Sequence, residues 1–159
     1  MADWYGYVSS MLNDIRLLPD YEVPLLLPLA RAFYAEGNLP GALNEKHFVE
    51  TLKNQINVGS CFVIVGGSPI RGTIAGIVFD DMMTSDRCCM ECFWYVSSSE
   101  RGSLGLRLLD AWENEALQRN ASRLVMAHLH SENDERFTKL YGRRGYTMRE
   151  QIFVKEAVL

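Results

Sequence analysis

From Val96 to Leu109 the chain reads Val-Ser-Ser-Ser-Glu-Arg-Gly-Ser-Leu-Gly-Leu-Arg-Leu-Leu, residue types suited to holding an anion. The apolar, aromatic run Cys92-Phe-Trp-Tyr-Val96 leading into it predicts a strand. Leu104, Leu108, Leu109 and Trp112 beyond it fall on one side of a helix. Strand, glycine-containing turn and helix N-terminus in that order leave backbone N–H groups without intrahelical partners, at the positive end of the helix dipole. A pyrophosphate fits such a site. Gly102 and Gly105 let the backbone come close to it, and the Ser103 hydroxyl could cap the helix or touch a phosphate. A tight strand–helix turn without a ligand would use the same residues.

Glu91 is the other conspicuous group. Strand alternation places it on one face with Phe93 and Tyr95, and an acid inside an apolar run is paired, at a strand end, or functional. His128 and His130 share a face at the end of a later strand, where structural satisfaction competes with a role as base. The cysteines are Cys61, Cys88, Cys89 and Cys92. Cys89-x-x-Cys92 has zinc-like spacing, but no second Cys or His pair answers it and the two residues point to opposite faces of a strand. Reduced, packing cysteines and no metal site are expected, as in a cytoplasmic protein.

These residues sit in a chain of 159 residues, with 48% hydrophobic and 23% charged residues, enough for one domain over 1–159 with a sizeable core. A net charge of −4 and a pI near 5.4 argue against nucleic-acid or anionic-membrane partners. The most apolar run, Val23 to Ala30, is broken by Pro24 and Pro28 and is too short to span a bilayer.

The elements that must position the site follow from local signals. Ile15–Leu18 reads as a short strand and Val23–Ala35 as a helix with Pro24 in its first turn. Gly37-Asn-Leu-Pro-Gly41 breaks the chain, and Asn44 caps a helix from Glu45 to about Asn57. Cys61–Val65 and Thr73–Phe79 form a hairpin around Gly66-Gly-Ser-Pro69, followed by a polar loop, Asp80–Asp86, and a strand over Arg87–Val96. A helix from about Leu104 to Arg119, a strand at Arg123–Leu129 and a helix at Asn133–Arg143, closed by Gly145, come next. Tyr146–Lys155 supplies one or two closing strands. Helices crossing between strands in the second half imply parallel pairing there.

The order of these elements, with these residues, resembles the GNAT superfamily of N-acetyltransferases. The likeness spans nearly the whole chain and is specific over about residues 88–148. Family members hold the pyrophosphate of acetyl-CoA on a loop of pattern Q/R-x-x-G-x-G/A. Aligned on Leu108-Leu109, this chain offers Glu100-Arg101-Gly102-Ser103-Leu104-Gly105, in which Gly105 matches, Ser103 replaces the first glycine and Glu100 the Gln/Arg. Leu140-Tyr141, with Gly145-Tyr146, resembles the family's L-Y-x-x-x-G-F/Y. Asn133 lies eight residues before Tyr141, where seven is commoner. Small proteins of this kind in tailed-phage genomes are the nearest likeness.

The resemblance implies an α/β fold with a mixed, mostly antiparallel sheet, a splayed parallel strand pair and about four helices. It implies acetyl-CoA as co-substrate, with main-chain groups of Trp94 and Val96 along the pantetheine arm. The amides of Arg101, Gly102, Ser103, Leu104, Gly105 and Leu106 would hold the pyrophosphate, with Asn133 as a further contact. The Val96 N–H would face the thioester carbonyl, Tyr141 would return the proton to the departing thiolate, and Glu91 would deprotonate the amine. Glu91 could instead bind the acceptor or lie at a solvated edge, Tyr141 could pack the last helix, and His128, His130 or water are rival bases. The function implied is direct acetyl transfer to a primary amine of a small molecule or protein, with a polar loop of Asp80, Asp81 and Asp86 able to draw a cation inward. The alternatives are a non-catalytic acyl-CoA-binding or protein-interaction module, and an inhibitor acetylating one lysine of a partner. Dimerisation is common in the family.

Overall fold

The structure, a computed structural model, describes residues 14–37, 39, 41–129, 134–150 and 152–155. These group into two compact units, one running to Ala127 and one from His128 onward.

The first unit is built on a five-stranded sheet in chain order, β1 (Ile15–Leu17), β2 (Cys61–Gly66), β3 (Gly72–Asp80), β4 (Arg87–Val96) and β5 (Arg123–Val125). The first four strands are antiparallel, and β4 pairs with β5 in parallel. A 3-10 turn (Asp20–Leu26) leads into α1 (Leu27–Gly37), and α2 (Glu45–Asn57) and α3 (Ser103–Gln118) complete the unit. The Asn44 side chain accepts from the His47 N–H at 3.1 Å, so the expected cap forms. A short connection between two continuous apolar runs makes the β2–β3 hairpin as expected, its turn closed by the Arg71 N–H donating to the Gly66 carbonyl at 2.7 Å.

Two apolar layers sandwich the sheet. Phe62, Ile64, Ile74, Val78 and Cys89 face Leu104, Leu108, Leu109 and Trp112 of α3. On the other face Cys61, Val63, Val65 and Ala75 meet Leu18, Val23, Leu26 and Leu52. Gly76 is where α3 comes closest: a Cβ there would lie 2.6 Å from the Trp112 Nε1 and 2.8 Å from the Phe62 Cζ.

Register breaks once. Ala75 opposes Phe93 while Gly76 opposes Glu91, leaving Cys92 as an extra, bulged residue. The pleat is reset there, so Glu91 does not share a face with Phe93 and Tyr95, contrary to the alternation in the sequence. Pairing with β5 ends at Met90↔Val125, and the strand expected over Arg123–Leu129 stops at Val125. A bulge bends its strand and increases its twist, and pairing with β5 stops two residues before it.

The second unit contains α4 (Asp134–Arg143). Gly145 has φ +88°, and the Tyr146 N–H donates to the Tyr141 carbonyl at 3.0 Å, a glycine-terminated helix end as read from the sequence. The closing strands expected over Tyr146–Lys155 are not formed among the described residues. Met148, Ile152, Phe153 and Val154 are strongly exposed instead. Alternating residue types define a strand's two faces but supply no neighbouring strand to pair with.

Candidate acyl-transfer site

α3 begins immediately after Gly102, whose φ of +111° and ψ of −103° suit a residue without a Cβ. No side chain caps this helix, no acid lies in its first turn, and its first bond at this end is the Leu106 N–H to the Gly102 carbonyl. Ser103 is the first helical residue, so its hydroxyl does not make the cap that the sequence allowed. Leu104 and Gly105 are buried, whereas Arg101, Gly102, Ser103 and Leu106 are exposed. A Cβ on Gly105 would touch Trp94 and Val96 at 3.7–3.8 Å, ordinary contact distances, so nothing but hydrogen occupies the helix surface there.

The hydrogen-bonding phase of β4 decides where its main chain points. The Ser97 N–H donates to the Arg71 carbonyl at 2.8 Å. Antiparallel pairs alternate, so Tyr95 and Phe93 turn their N–H and C=O groups toward β3 while Trp94 and Val96 turn theirs to the opposite edge. That edge is the one β5 leaves after Met90.

Arg101 braces the loop to this strand. Its Nε donates to the Val96 carbonyl at 3.2 Å, its guanidinium pairs with the Glu36 carboxylate at the end of α1, and it lies over the Tyr95 ring. The Tyr95 hydroxyl donates to Glu36 at 2.6 Å. Tyr95 first, then Arg101, hold the Glu36 carboxyl below the usual range. Arg101 therefore offers the loop its backbone, while its side chain is engaged elsewhere. Glu36 carries no local signal in the sequence: its partners are 59 and 65 residues away.

Glu91 is buried, with 7% of its surface exposed. Its carboxylate accepts from the Ala127 main-chain N–H, and burial pushes its pKa up to about 7. A carboxyl titrating there can take a proton from an amine near neutral pH. Cys92 turns away from the α3 layer and lines a cavity of about 230 Å³ with Ala30, Phe33, Tyr34, Leu39, Leu43, Phe48 and Phe93. The hydrogen bond with the Cys61 thiol, then burial, push the Cys92 thiol well above its ordinary range. Among the described residues, no basic side chain acts on it.

The acids of the polar loop are paired with arginines. Asp81 and Asp86 both pair with Arg123, at 2.9 and 2.7 Å, and Asp80 pairs with Arg87 at 3.2 Å. These two arginines come from strand ends and offset part of the charge of the three acids the sequence placed together. Cys89 packs in the α3 layer.

Within the second unit, Tyr141 is half-buried between the rings of Phe137 and Tyr146, with centroids 6.0 and 5.7 Å away. His128 lies outside any strand, with its Nε2 2.6 Å from the Asp134 carboxylate and its ring against Phe137. That pairing is the structural satisfaction weighed against a role as base. Asn133 and His130 lie outside the described residues.

Comparison with known proteins follows the same lines. The model of the acetyltransferase (GNAT) family matches residues 28–146. The fold is similar to a ribosomal-protein-alanine N-acetyltransferase from Brucella melitensis biovar Abortus 2308, with a TM-score of 0.69, 21% identity and 91% and 99% of the two chains covered. It is also similar to an aminoglycoside acetyltransferase from an uncultured soil metagenomic sample, with a TM-score of 0.68, 18% identity and 91% and 95% covered. A predicted acetyltransferase with acetyl-CoA from Clostridium acetobutylicum gives a TM-score of 0.75 at 16% identity, over 90% and 95%. At these identities the likeness establishes the fold. No curated protein matches the sequence at a significant level. Among the described residues, no helix is long and apolar enough to cross a membrane.

Proposed function

The chain belongs to the acetyltransferase (GNAT) family, and from that premise we propose that it is an N-acetyltransferase carrying acetyl from acetyl-CoA directly to a primary amine in a ternary complex. The observation that carries this reading is the parting of β4 from β5 beyond Met90↔Val125, beside a helix N-terminus that no side chain caps. A pantetheine arm fits the outward-directed main chain of Trp94 and Val96, and a pyrophosphate fits the amides from Arg101 to Leu106. Asn133, carried over from the family motif, completes the set of proposed contacts.

Acetyl-CoA supplies the activated acyl group and a thiolate leaving group. The Val96 N–H is the donor for negative charge developing on the thioester oxygen, an interaction worth a few kcal/mol when the donor is preorganised. Glu91 takes the proton from the ammonium so that the neutral amine attacks, and Tyr141 returns a proton to the leaving sulfur. A thiolate whose acid has a pKa of about 8.5 takes this proton from a phenol of about 10 only when the two are held in contact, and the proton that the attacking nitrogen loses on forming the amide restores the phenol. Among the described residues, Cys92 has no histidine or other basic side chain acting on it, which favours direct transfer over an acetyl-cysteine relay. We read residues 1–159 as one acyl-transfer domain, acting in the cytoplasm.

Calorimetric titration with acetyl-CoA tests the reading, with Gly105→Glu as control. The added side chain has room at its Cβ and would bring a carboxylate to the phosphate site. Micromolar binding lost in the variant is expected, followed by CoA release when an amine panel is added. Binding without release on any amine or peptide would favour an acyl-CoA-binding or interaction module. No binding by the unaltered protein would end the reading.

A further inference from the structure

We propose that the acceptor carries an aromatic or branched-aliphatic group beside its amine, held in the cavity of Phe33, Tyr34, Leu43, Phe48, Cys92 and Phe93. This rests on the transferase reading above and specifies its substrate class.

The cavity's chemistry is the first ground. Among the described residues, no charged one lines it. Engineered apolar cavities of about 150 Å³ accept a benzene molecule, so about 230 Å³ takes one ring or one branched chain with its connecting methylene. Phe33, Tyr34, Phe48 and Phe93 are all half-buried, keeping part of their surfaces open toward an incoming group. Phe93 meets Phe33 and Phe48 edge to face, with centroids 5.1 and 6.0 Å away at 84° and 76°. A further ring can join that arrangement in the geometry aromatic pairs favour.

Position is the second ground. Cys92, the bulged residue, faces the cavity, and the residue before it is Glu91, whose carboxylate meets Ala127 at the parting edge of β4. Cys92 and Phe93 belong to the length of β4 beyond Met90 that β5 leaves unpaired. A group seated beside them thus lies against the stretch of strand along which the acyl arm is proposed to run.

The surroundings weigh against a polycationic acceptor. Asp80, Asp81 and Asp86 are already paired with arginines, and Glu36 is engaged by Tyr95 and Arg101. Moving a second ammonium into an uncharged aromatic cavity would forfeit its hydration without a partner.

The test measures CoA release, by chromatography, from the full-length protein with acetyl-CoA and four amines: phenethylamine, isopentylamine, ethanolamine and putrescine. Burying a ring or branched chain is worth about 1.5–3 kcal/mol, so kcat/KM for the first two should exceed that for the last two by at least about tenfold. In Leu43→Asp, a loop substitution, and in Phe48→Asp, this ratio should fall about tenfold, with melting temperatures recorded alongside. Equal kcat/KM across the panel, or a ratio that survives both substitutions, would overturn the proposal. Should no amine release CoA, the transferase reading fails by itself. Saturation-transfer NMR with phenethylamine then reads the cavity directly: ring signals lost in Leu43→Asp uphold it, and no transfer to the unaltered protein overturns it.

Discussion

The carboxylate of Glu91 accepts a hydrogen bond from the main-chain N–H of Ala127, just past the last pair between β4 and β5. One donor does not replace the water lost on burial, so the charged form is disfavoured and the pKa rises to about 7. Relative to an ordinary carboxyl this corresponds to roughly 3 kcal/mol against ionisation. The group is thus held where a base is useful, and at a cost to the fold once it ionises.

Turnover should therefore rise with pH on a single-proton limb centred near 7, the value for Glu91. Glu91→Gln should remove that limb and lower kcat by about a hundredfold or more. Stability moves the other way. The folded pKa lies above the unfolded one, so the neutral carboxyl's contribution is complete below about 4.3 and lost as pH climbs through about 7. Thermal scans of Glu91→Gln should show a higher melting temperature than the unaltered protein at pH 8, with the difference gone by pH 4.

Arg101 ties the loop before α3 to Glu36 and to the Val96 carbonyl. The ion pair is about half exposed on both sides, at 50% and 46%, and such pairs contribute at most about 1 kcal/mol to stability. Arg101→Met and Glu36→Gln should shift the melting temperature little while raising the KM for acetyl-CoA several-fold. Steady-state kinetics with acetyl-CoA as the varied substrate decide it; an unchanged KM would mean the loop keeps its place without the brace.

Gly76 holds the closest approach of sheet and helix. A Cβ would fall within 2.9 Å of the Trp112 Nε1, the Phe62 Cζ and the Cys89 Sγ together, all buried. Overpacking of this kind costs about 1–3 kcal/mol. For Gly76→Ala we expect melting to drop by about 3–10 °C, with near-normal thermal stability counting against so tight a fit.

Tyr141 is assigned the proton returned to sulfur, and its ring is held by Phe137 and Tyr146. Phenylalanine keeps those ring contacts and removes only the hydroxyl. Tyr141→Phe should lower kcat by about a hundredfold while calorimetry finds acetyl-CoA affinity within about twofold. Unchanged turnover would remove the phenol from the reaction.

What the sequence determined by itself is local. The Asn44 cap, the hairpin between β2 and β3, the turn into α3 after Gly102 and the glycine end of α4 each depend on residues within a few positions of one another. Backbone sterics and capping act over that range, and the family motifs fall there too. Tertiary structure decided the features that depend on a neighbour. The bulge at Cys92 turned Glu91 off the face shared by Phe93 and Tyr95, because period-two alternation cannot register an inserted residue. Arg87 and Arg123 came to pair with the three acids of the loop, and Glu36 reached Arg101 and Tyr95 across 65 and 59 positions. β5 ended at Val125 because a strand lasts only as long as its partner stays beside it. The aromatic cavity arises likewise, from half-buried rings of α1, α2 and β4 that packing alone brings together.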